Sequence, residues 1–316
     1  VTGHPELGRL ALAREAVDRA TDRRADPAWL AAAWADPRTR VLVVDGGKAL
    51  VRFSEGGADL VFLSPAEAPP GVRFLLGVDA VGVVYFGVDA PLDRGTPRGR
   101  RAPDGAGVRP GSLRQVGSLL GGRDAGLATH AIALANWHDT HTHCPICGTP
   151  TTVNPGGHST TCPHDGTEHF PRTDPAVIML VTDPADRCLL AHNKAWPERR
   201  VSILAGFVDP GESAEHAVAR EVSEEAGLTV GRVTYLGSQP WPMPRSLMLG
   251  FHAFAEGGQD IRVDAEEIGE AHWYTRGQLL ASLRAHNLAL PPPVSIARQI
   301  IEAWYGGELP DGARFE

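Results

Sequence analysis

The stretch that most constrains this chain runs from Gly206 to Leu228, GFVDPGESAEHAVAREVSEEAGL. From Ala214 to Ala226 it is rich in Ala and Glu and free of Pro and Gly, which predicts a helix. The preceding loop carries Pro210-Gly211, a tight turn that feeds the helix start. Glu221 and Glu225 are four residues apart and Glu224 is three beyond Glu221, so three carboxylates share one helical face. Like charges so placed destabilise a bare helix, and a divalent cation removes that cost. Carboxylate oxygens suit Mg²⁺ or Mn²⁺, and Mg²⁺ is usually held by a few carboxylates plus substrate phosphates. Ala217, Val218 and Val222 fall on other faces and can pack inward. The bland alternative is a solvated acidic face with Arg220 as its surface ion-pair partner.

Length and charge bound what surrounds this stretch. The chain has 316 residues, which suggests about two domains. Hydrophobic residues make up 42% and charged residues 22%, the profile of a globular protein. The net charge is -8, so no overall basic field attracts nucleic acid, and a polyanion must be held locally. No apolar run reaches the ~18 residues of a membrane span, and no membrane partner is expected. The opening VTGHPELGRLALAREAVDRA lacks an uninterrupted apolar core and does not read as a secretory signal, so a cytoplasmic location is expected.

The first forty residues read as an Ala/Arg/Asp-rich helical stretch, with a second short helix from Asp26-Pro27 through Trp34. Short apolar runs at 41–44, 49–51, 60–63, 73–77 and 81–86 predict strands joined by hairpins. Residues 91–110, rich in Pro, Gly and Arg, read as a loop. A helix is expected over Asp124–His138. The runs 176–182, 187–192, 201–204, 233–236, 247–255 and 271–274 predict a second set of strands, with helices starting at Gln278 and over Ser295–Trp304. The expected organisation is an N-terminal mixed α/β domain over 1–125, a helix and zinc-ribbon-like module over 126–170, and an α/β domain over 171–316. Cys188, in an apolar run, is expected in the core.

Three of the four cysteines lie close together, which in a cytosolic chain suggests metal before disulfide. Cys144-Pro-Ile-Cys147-Gly148 makes one zinc knuckle, and Cys162 supplies the first ligand of a second. The position of a fourth cysteine is occupied by Asp165. Three readings stand: Asp165 as an oxygen ligand, neighbouring His164 as the ligand, or a site that has lost its zinc. Zinc binding is the expectation, with His158 and His169 outside the ligand set.

A second motif follows a predicted strand: Ser238-Gln239-Pro240-Trp241-Pro242-Met243-Pro244-Arg245-Ser246. Its alternating prolines fix φ and stiffen the segment. Trp241 offers a flat face for a nucleobase or nicotinamide ring, and Gln239 and Ser246 offer hydrogen bonds. A rigid connecting loop with Trp241 as a core plug is an equal reading on these grounds.

A resemblance now ties the motifs together. Gly206, Glu212 and Arg220 to Leu228 match the Nudix hydrolase box, G-x5-E-x7-R-E-U-x-E-E-x-G-U with U aliphatic, at every fixed position. With the flanking glycines, Glu212 and Arg220 at those offsets, the acidic helix face reads as a metal site. SQPWPMPRS resembles the SQPWPFPxS element of the NADH pyrophosphatase (NudC) family, with Met243 in place of the usual Phe. The order of N-terminal domain, zinc ribbon, Nudix domain and this element is also that family's, although Asp165 replaces its fourth zinc cysteine.

The resemblance implies a Nudix α/β/α sandwich with mixed sheets and a homodimer. It implies catalytic roles for Glu221, Glu224 and Glu225, and Mg²⁺ or Mn²⁺ held by these three with Glu267 and the carbonyl of Ala205, Glu266 being the adjacent alternative to Glu267. Structural Zn²⁺ would sit on Cys144, Cys147, Cys162 and Asp165. Glu212 and Arg220 would hold the loop and helix. Substrate contacts would come from Arg114, Phe170, Gln239, Pro240, Trp241, Pro242, Met243, Pro244, Arg245, Ser246 and Ala297. The implied reaction is hydrolysis of the NAD(H) pyrophosphate to nicotinamide mononucleotide and AMP, with 5′-NAD-capped RNA as a second substrate. The rival reading is a non-catalytic nucleotide sensor on the same fold.

Overall fold

The computed structural model describes residues 7, 8, 10–14, 17–92 and 107–312. The Arg-rich loop expected within 91–110 lies largely outside the described residues, and its last positions, from Val108, belong to a strand. Packing divides the chain into two units. One comprises Leu12–Thr173 with Trp241–Arg245, and the other the residues up to Ala11, Asp174–Pro240 and Ser246 onward.

In the first unit, α1 (Pro27–Ala35) starts where Asp26 accepts the Trp29 N–H at 3.0 Å and Pro27 opens the first turn. The strands β1 (Arg40–Asp45), β2 (Lys48–Ser54), β3 (Gly57–Leu60), β4 (Val72–Val78), β5 (Val84–Asp89) and β6 (Val108–Ser112) form one sheet. Its order is β3-β2-β1-β5-β4 with β6 also on β2, and β1 and β5 run parallel. The short α2 (Leu113–Val116) and the long α3 (Gly122–Thr140) follow, and then β7 (Thr152–Val153), β8 (Thr160–Thr161) and β9 (Glu168–His169), a small antiparallel sheet. The helix expected before residue 20 is absent among the described residues. Asp18 instead bridges Val78 at the end of β4, and Leu10 and Leu12 are buried, so tertiary packing overrides the helix propensity of an Ala/Arg-rich run.

The second unit is built on β10 (Asp174–Thr182), β11 (Cys188–Asn193), β12 (Leu204–Phe207), β13 (Val230–Trp241), β14 (Ser246–Ala255) and β15 (Ile268–Tyr274). The order is β13-β14-β10-β11-β15, with β12 also paired to β10. The sheet is mixed: β10 runs parallel to β14 and antiparallel to β11 and β12. Along β10, Val177, Met179 and Val181 pack with Ala217, Val218 and Val222 of α4 (Ala214–Ala226). Ile178 and Leu180 pack on the opposite face with α5 (Arg276–Arg284) and α6 (Ile296–Tyr305), through Leu279, Leu283, Ile296 and Ile300. Because both faces are covered, β10 is apolar from Pro175 to Val181 rather than alternating. The result is the expected α/β/α sandwich, with Cys188 fully buried in the α5/α6 layer.

The α6 layer closes on a buried arginine. Arg298, 3% exposed, donates to Glu302 Oε1 at 2.7 Å, to Asp311 Oδ1 at 3.4 Å and to the Leu309 carbonyl. Glu302 Oε1 also accepts the Leu309 N–H at 2.9 Å, so this pair ties the chain after α6 back onto the helix. Arg298→Ala leaves Glu302 without its cation and is expected to cost about 3–5 kcal/mol in urea unfolding. A double replacement, Arg298→Met with Glu302→Gln, should cost clearly less.

Candidate active site

β12 runs antiparallel to β10 with Gly206 opposite Val177, and its end delivers the loop that enters α4. A Cβ at Gly206 would lie 1.9 Å from Cδ and 2.0 Å from Oε1 of Glu221. Only glycine lets that carboxylate rest against the strand. Ser213 caps α4 by accepting the His216 N–H at 3.2 Å, and Gly227 ends it at φ 67, in the left-handed region.

Arg220 is the hub of the loop and helix. It grips Glu212 with both arms, Nε to Oε1 at 3.0 Å and Nη2 to Oε2 at 2.8 Å. Its Nη1 reaches Glu221 Oε1 at 2.8 Å and Glu224 Oε2 at 2.9 Å, and its Nη2 donates to the Phe207 carbonyl at 2.8 Å. Glu212 also accepts the Asp209 N–H at 2.9 Å, which closes the turn. Bonding to Arg220 holds the Glu212 carboxyl down at about 2. Glu221 and Glu224 each meet Arg220 through one oxygen, which leaves the second oxygen of each outside this fork.

Glu225 differs from its neighbours. It is 7% exposed, and its Oε2 is buried without a hydrogen-bond partner. Burial, then the charges of Glu221 and Glu267, push its carboxyl up to about 8, while the Ala205 backbone N–H bonds it and pulls the other way. Burial also raises Glu221, against the pull of Arg220. Glu267, in the turn before β15, is the loop carboxylate whose charge acts on both Glu221 and Glu225. An unpartnered buried carboxylate oxygen among further carboxylates is an all-oxygen donor set that fits a hard divalent cation.

The three cysteines and Asp165 also converge. Their ligand atoms all lie within 4.8 Å of one another, with Cys147 Sγ 3.6 Å from Cys162 Sγ and Cys144 Sγ 3.8 Å from Asp165 Oδ2. A tetrahedral zinc with bonds of ~2.3 Å to sulfur needs edges of roughly 3.7 Å, so the set fits. The two knuckles are built alike. The Gly148 N–H bonds the Cys144 carbonyl and the Gly166 N–H bonds the Cys162 carbonyl, each at 2.9 Å, with both glycines at positive φ (73° and 75°). Asp165 keeps the second turn closed by accepting the Thr167 N–H at 2.9 Å. His158 is spent on the Leu75 carbonyl at 2.7 Å.

The second motif is partly strand. Ser238 to Trp241 close β13, an edge strand where Pro240 need not donate to a neighbour. Gln239 is fully buried and donates to the Val294 carbonyl at 3.0 Å, so here it holds the approach to α6. Ala297 is likewise buried, in the first turn of α6. The tip, Trp241–Arg245, packs in the other unit. There the Arg114 guanidinium lies 5.4 Å from the Trp241 ring centroid, and Asn136 donates to the carbonyls of Pro242 and Pro244 at 2.9 and 3.1 Å. Pro242 is buried, Met243 half-buried and Pro244 exposed, while Ser246 opens β14 opposite Asp174. Phe170, just after β9, is 54% exposed.

Comparison with known proteins agrees with this architecture. Residues 172–292 match the Nudix domain, and residues 139–170 match the NADH pyrophosphatase zinc ribbon domain. The chain is 42% identical over 312 residues to the NAD-capped RNA hydrolase NudC of Mycobacterium bovis, covering 93% of this chain and 94% of that protein. Identity to NudC of Mycobacterium tuberculosis is 41% over the same span. The NAD-capped RNA hydrolase NUDT12 of Pongo abelii matches at 41% over 194 residues, 58% of this chain and 42% of that protein. The chain belongs to the NudC family of Nudix hydrolases.

Within this NudC-family chain, Asn136 fixes the proline-rich tip, yet it lies in none of the sequence motifs.

The charge balance at Glu225 makes a stability prediction. Its folded value, about 8, lies above the ordinary 4.5, so in the absence of metal its contribution to stability is fully present below 4.5 and is lost as pH rises toward 8. Without metal, Glu225→Gln should therefore melt higher than the wild type, by more at about pH 8 than at about pH 5. Added Mn²⁺ should raise the wild-type Tm more than that of the variant. Equal pH profiles for the two metal-free proteins would contradict this account.

Proposed function

We propose that this protein is a metal-dependent pyrophosphatase that hydrolyses NAD(H) to nicotinamide mononucleotide and AMP, and that it also removes the NAD cap of RNA 5′ ends by the same cleavage, releasing nicotinamide mononucleotide and leaving a 5′-monophosphate end. The observation that carries the reading is the buried, unpartnered Glu225 oxygen inside an intact Nudix box, in a chain whose relatives along nearly its whole length are named NAD-capped RNA hydrolases. Glu221, Glu224, Glu225 and Glu267, with the Ala205 carbonyl, would hold Mg²⁺ or Mn²⁺. Bound there, the metal supplies charge neutralisation of the diphosphate and acidification of a water. One box carboxylate accepts that water's proton as its oxygen bonds to phosphorus, and the bridging P–O bond breaks. Glu212 and Arg220 keep the loop and α4 fixed through this exchange. Arg114, Phe170, Ser246, Ala297 and the segment Gln239–Arg245 are the proposed substrate contacts, Gln239 and Ala297 shaping the wall from beneath. A homodimer and a cytoplasmic location complete the proposal. No helix among the described residues is long and apolar enough to cross a membrane.

Product analysis tests the reading. Wild type and Glu225→Gln are incubated with NADH and with 5′-NAD RNA, each with Mg²⁺ or Mn²⁺. The wild type should release AMP-type and nicotinamide-mononucleotide ends, with turnover in the variant lower by roughly a hundredfold or more. Binding of NADH without cleavage would replace the enzyme by a nucleotide sensor.

Zinc on Cys144, Cys147, Cys162 and Asp165 is the second part of the proposal. Purified protein should carry about one zinc per chain, one ion per four-ligand site. Asp165→Ala should lose it faster to a chelator and melt lower, and Asp165→Cys should retain it longer. Identical zinc release from wild type and Asp165→Ala would remove Asp165 from the ligand set.

A further inference from the structure

The end of β11 carries an irregularity beside a side chain that reaches Glu267. Pairing with β15 steps from His192 opposite Glu270 to Asn193 opposite Ile268, so Gly269 is an extra residue in the ladder. Such bulges bend a strand and re-aim the side chains beside them. A Cβ at Gly269 would come within 3.1 Å of the His192 ring and 3.5 Å of Lys194 Cγ, so the crossing is close.

At this bend the Asn193 side chain is held at both ends. Its Oδ1 accepts the Ala195 N–H at 2.9 Å, and its Nδ2 donates to Glu267 Oε1 at 3.2 Å. The Ala195 contact fixes the amide orientation, since only oxygen can face an N–H, and the NH₂ is thereby turned to Glu267. The backbone adds to the grip. The Lys194 N–H donates to the Glu267 carbonyl at 3.0 Å, and the Lys194 ammonium reaches the Ala265 carbonyl. The turn that carries Glu267 is closed on its other side by Asp264, whose carbonyl accepts the Ile268 N–H at 2.9 Å. Glu267 is thus an exposed loop carboxylate with one oxygen fixed and the other left for a ligand.

We infer that Asn193 is a positioning residue that holds Glu267 in register with Glu221 and Glu225 for the divalent cation. The inference rests on the metal-dependent reading of the site. It adds a residue outside the box, on a different strand, to the machinery of that site. Asn193 acts through Glu267, to which its amide donates. Partners that orient a ligand in this way typically matter by ~10–100-fold in metal affinity.

Two variants separate orientation from folding. Asn193→Asp keeps the acceptor for the Ala195 N–H but turns a carboxylate oxygen toward Glu267. Asn193→Ser keeps a short acceptor and removes the donor. Each is titrated with Mn²⁺ and free metal is followed by its electron paramagnetic resonance signal, in wild-type and Glu267→Gln backgrounds. Both variants should weaken Mn²⁺ binding by about tenfold or more in the wild-type background, and change it little once Glu267 is Gln. Unchanged binding in the wild-type background, or an equal loss in both backgrounds, would overturn the inference. Because the readout is metal binding, a protein that binds Mn²⁺ in this pattern yet leaves NADH intact would overturn the hydrolase reading and leave the Asn193 assignment standing. A wild type that binds no Mn²⁺ would overturn both.

Discussion

The close approach of Glu221 to the backbone at Gly206 governs the catalytic half of this protein. With no Cβ on the strand, α4 lies near enough to β12 for carboxylates and backbone to share one small volume. That proximity creates an electrostatic problem which the loop answers locally. Arg220 spans Glu212, Glu221, Glu224 and the Phe207 carbonyl, and so neutralises the outer part of the cluster. The inner part, Glu225, keeps a buried oxygen without a hydrogen-bond partner. The fold therefore separates two jobs within one acidic helix: ion pairs that keep shape, and a buried carboxylate whose own environment disfavours its charge.

Much of this was legible in the sequence, because the box encodes geometry as spacing. The helix over Ala214–Ala226, the inward faces of Ala217, Val218 and Val222, and the paired cysteine turns all depend on residues near one another along the chain. The central strand β10 was readable as an apolar segment, since burial on both faces leaves no polar positions from Pro175 to Val181. What failed among the described residues was a helix before residue 20. There Ala and Arg supply helix propensity, but Leu10 and Leu12 are drawn into cores and Asp18 pairs with a distant strand. Propensity carries no information about such partners.

The site residues divide along the same line. Glu221, Glu224 and Glu225 announce themselves by spacing. Asn136 and Asn193 do not, because each matters through a residue over seventy positions away in the chain. Gln239 sits inside a recognisable motif, yet the structure spends its amide on the Val294 carbonyl. A motif marks which residues travel together; it does not say which of them face solvent and which hold the backbone behind.

The zinc-ribbon turns share a backbone but differ in redox chemistry. The first has two thiols three positions apart, Cys144 and Cys147; the second has one thiol, Cys162, and a carboxylate. Within one chain an oxidant can join at most one pair of these sulfurs, and always leaves a third unpaired. The turn at Cys162 has no internal disulfide open to it, and its carboxylate is inert to the oxidation ladder that thiols climb. Asp165 is also ionised far below the pH at which a thiol loses its proton, its carboxyl held at about 2 by the Thr167 N–H first. Asp165 thus offers its oxygen with no proton to displace, and one of the four donors of this cluster is indifferent to both acidity and oxygen across the range in which cells live.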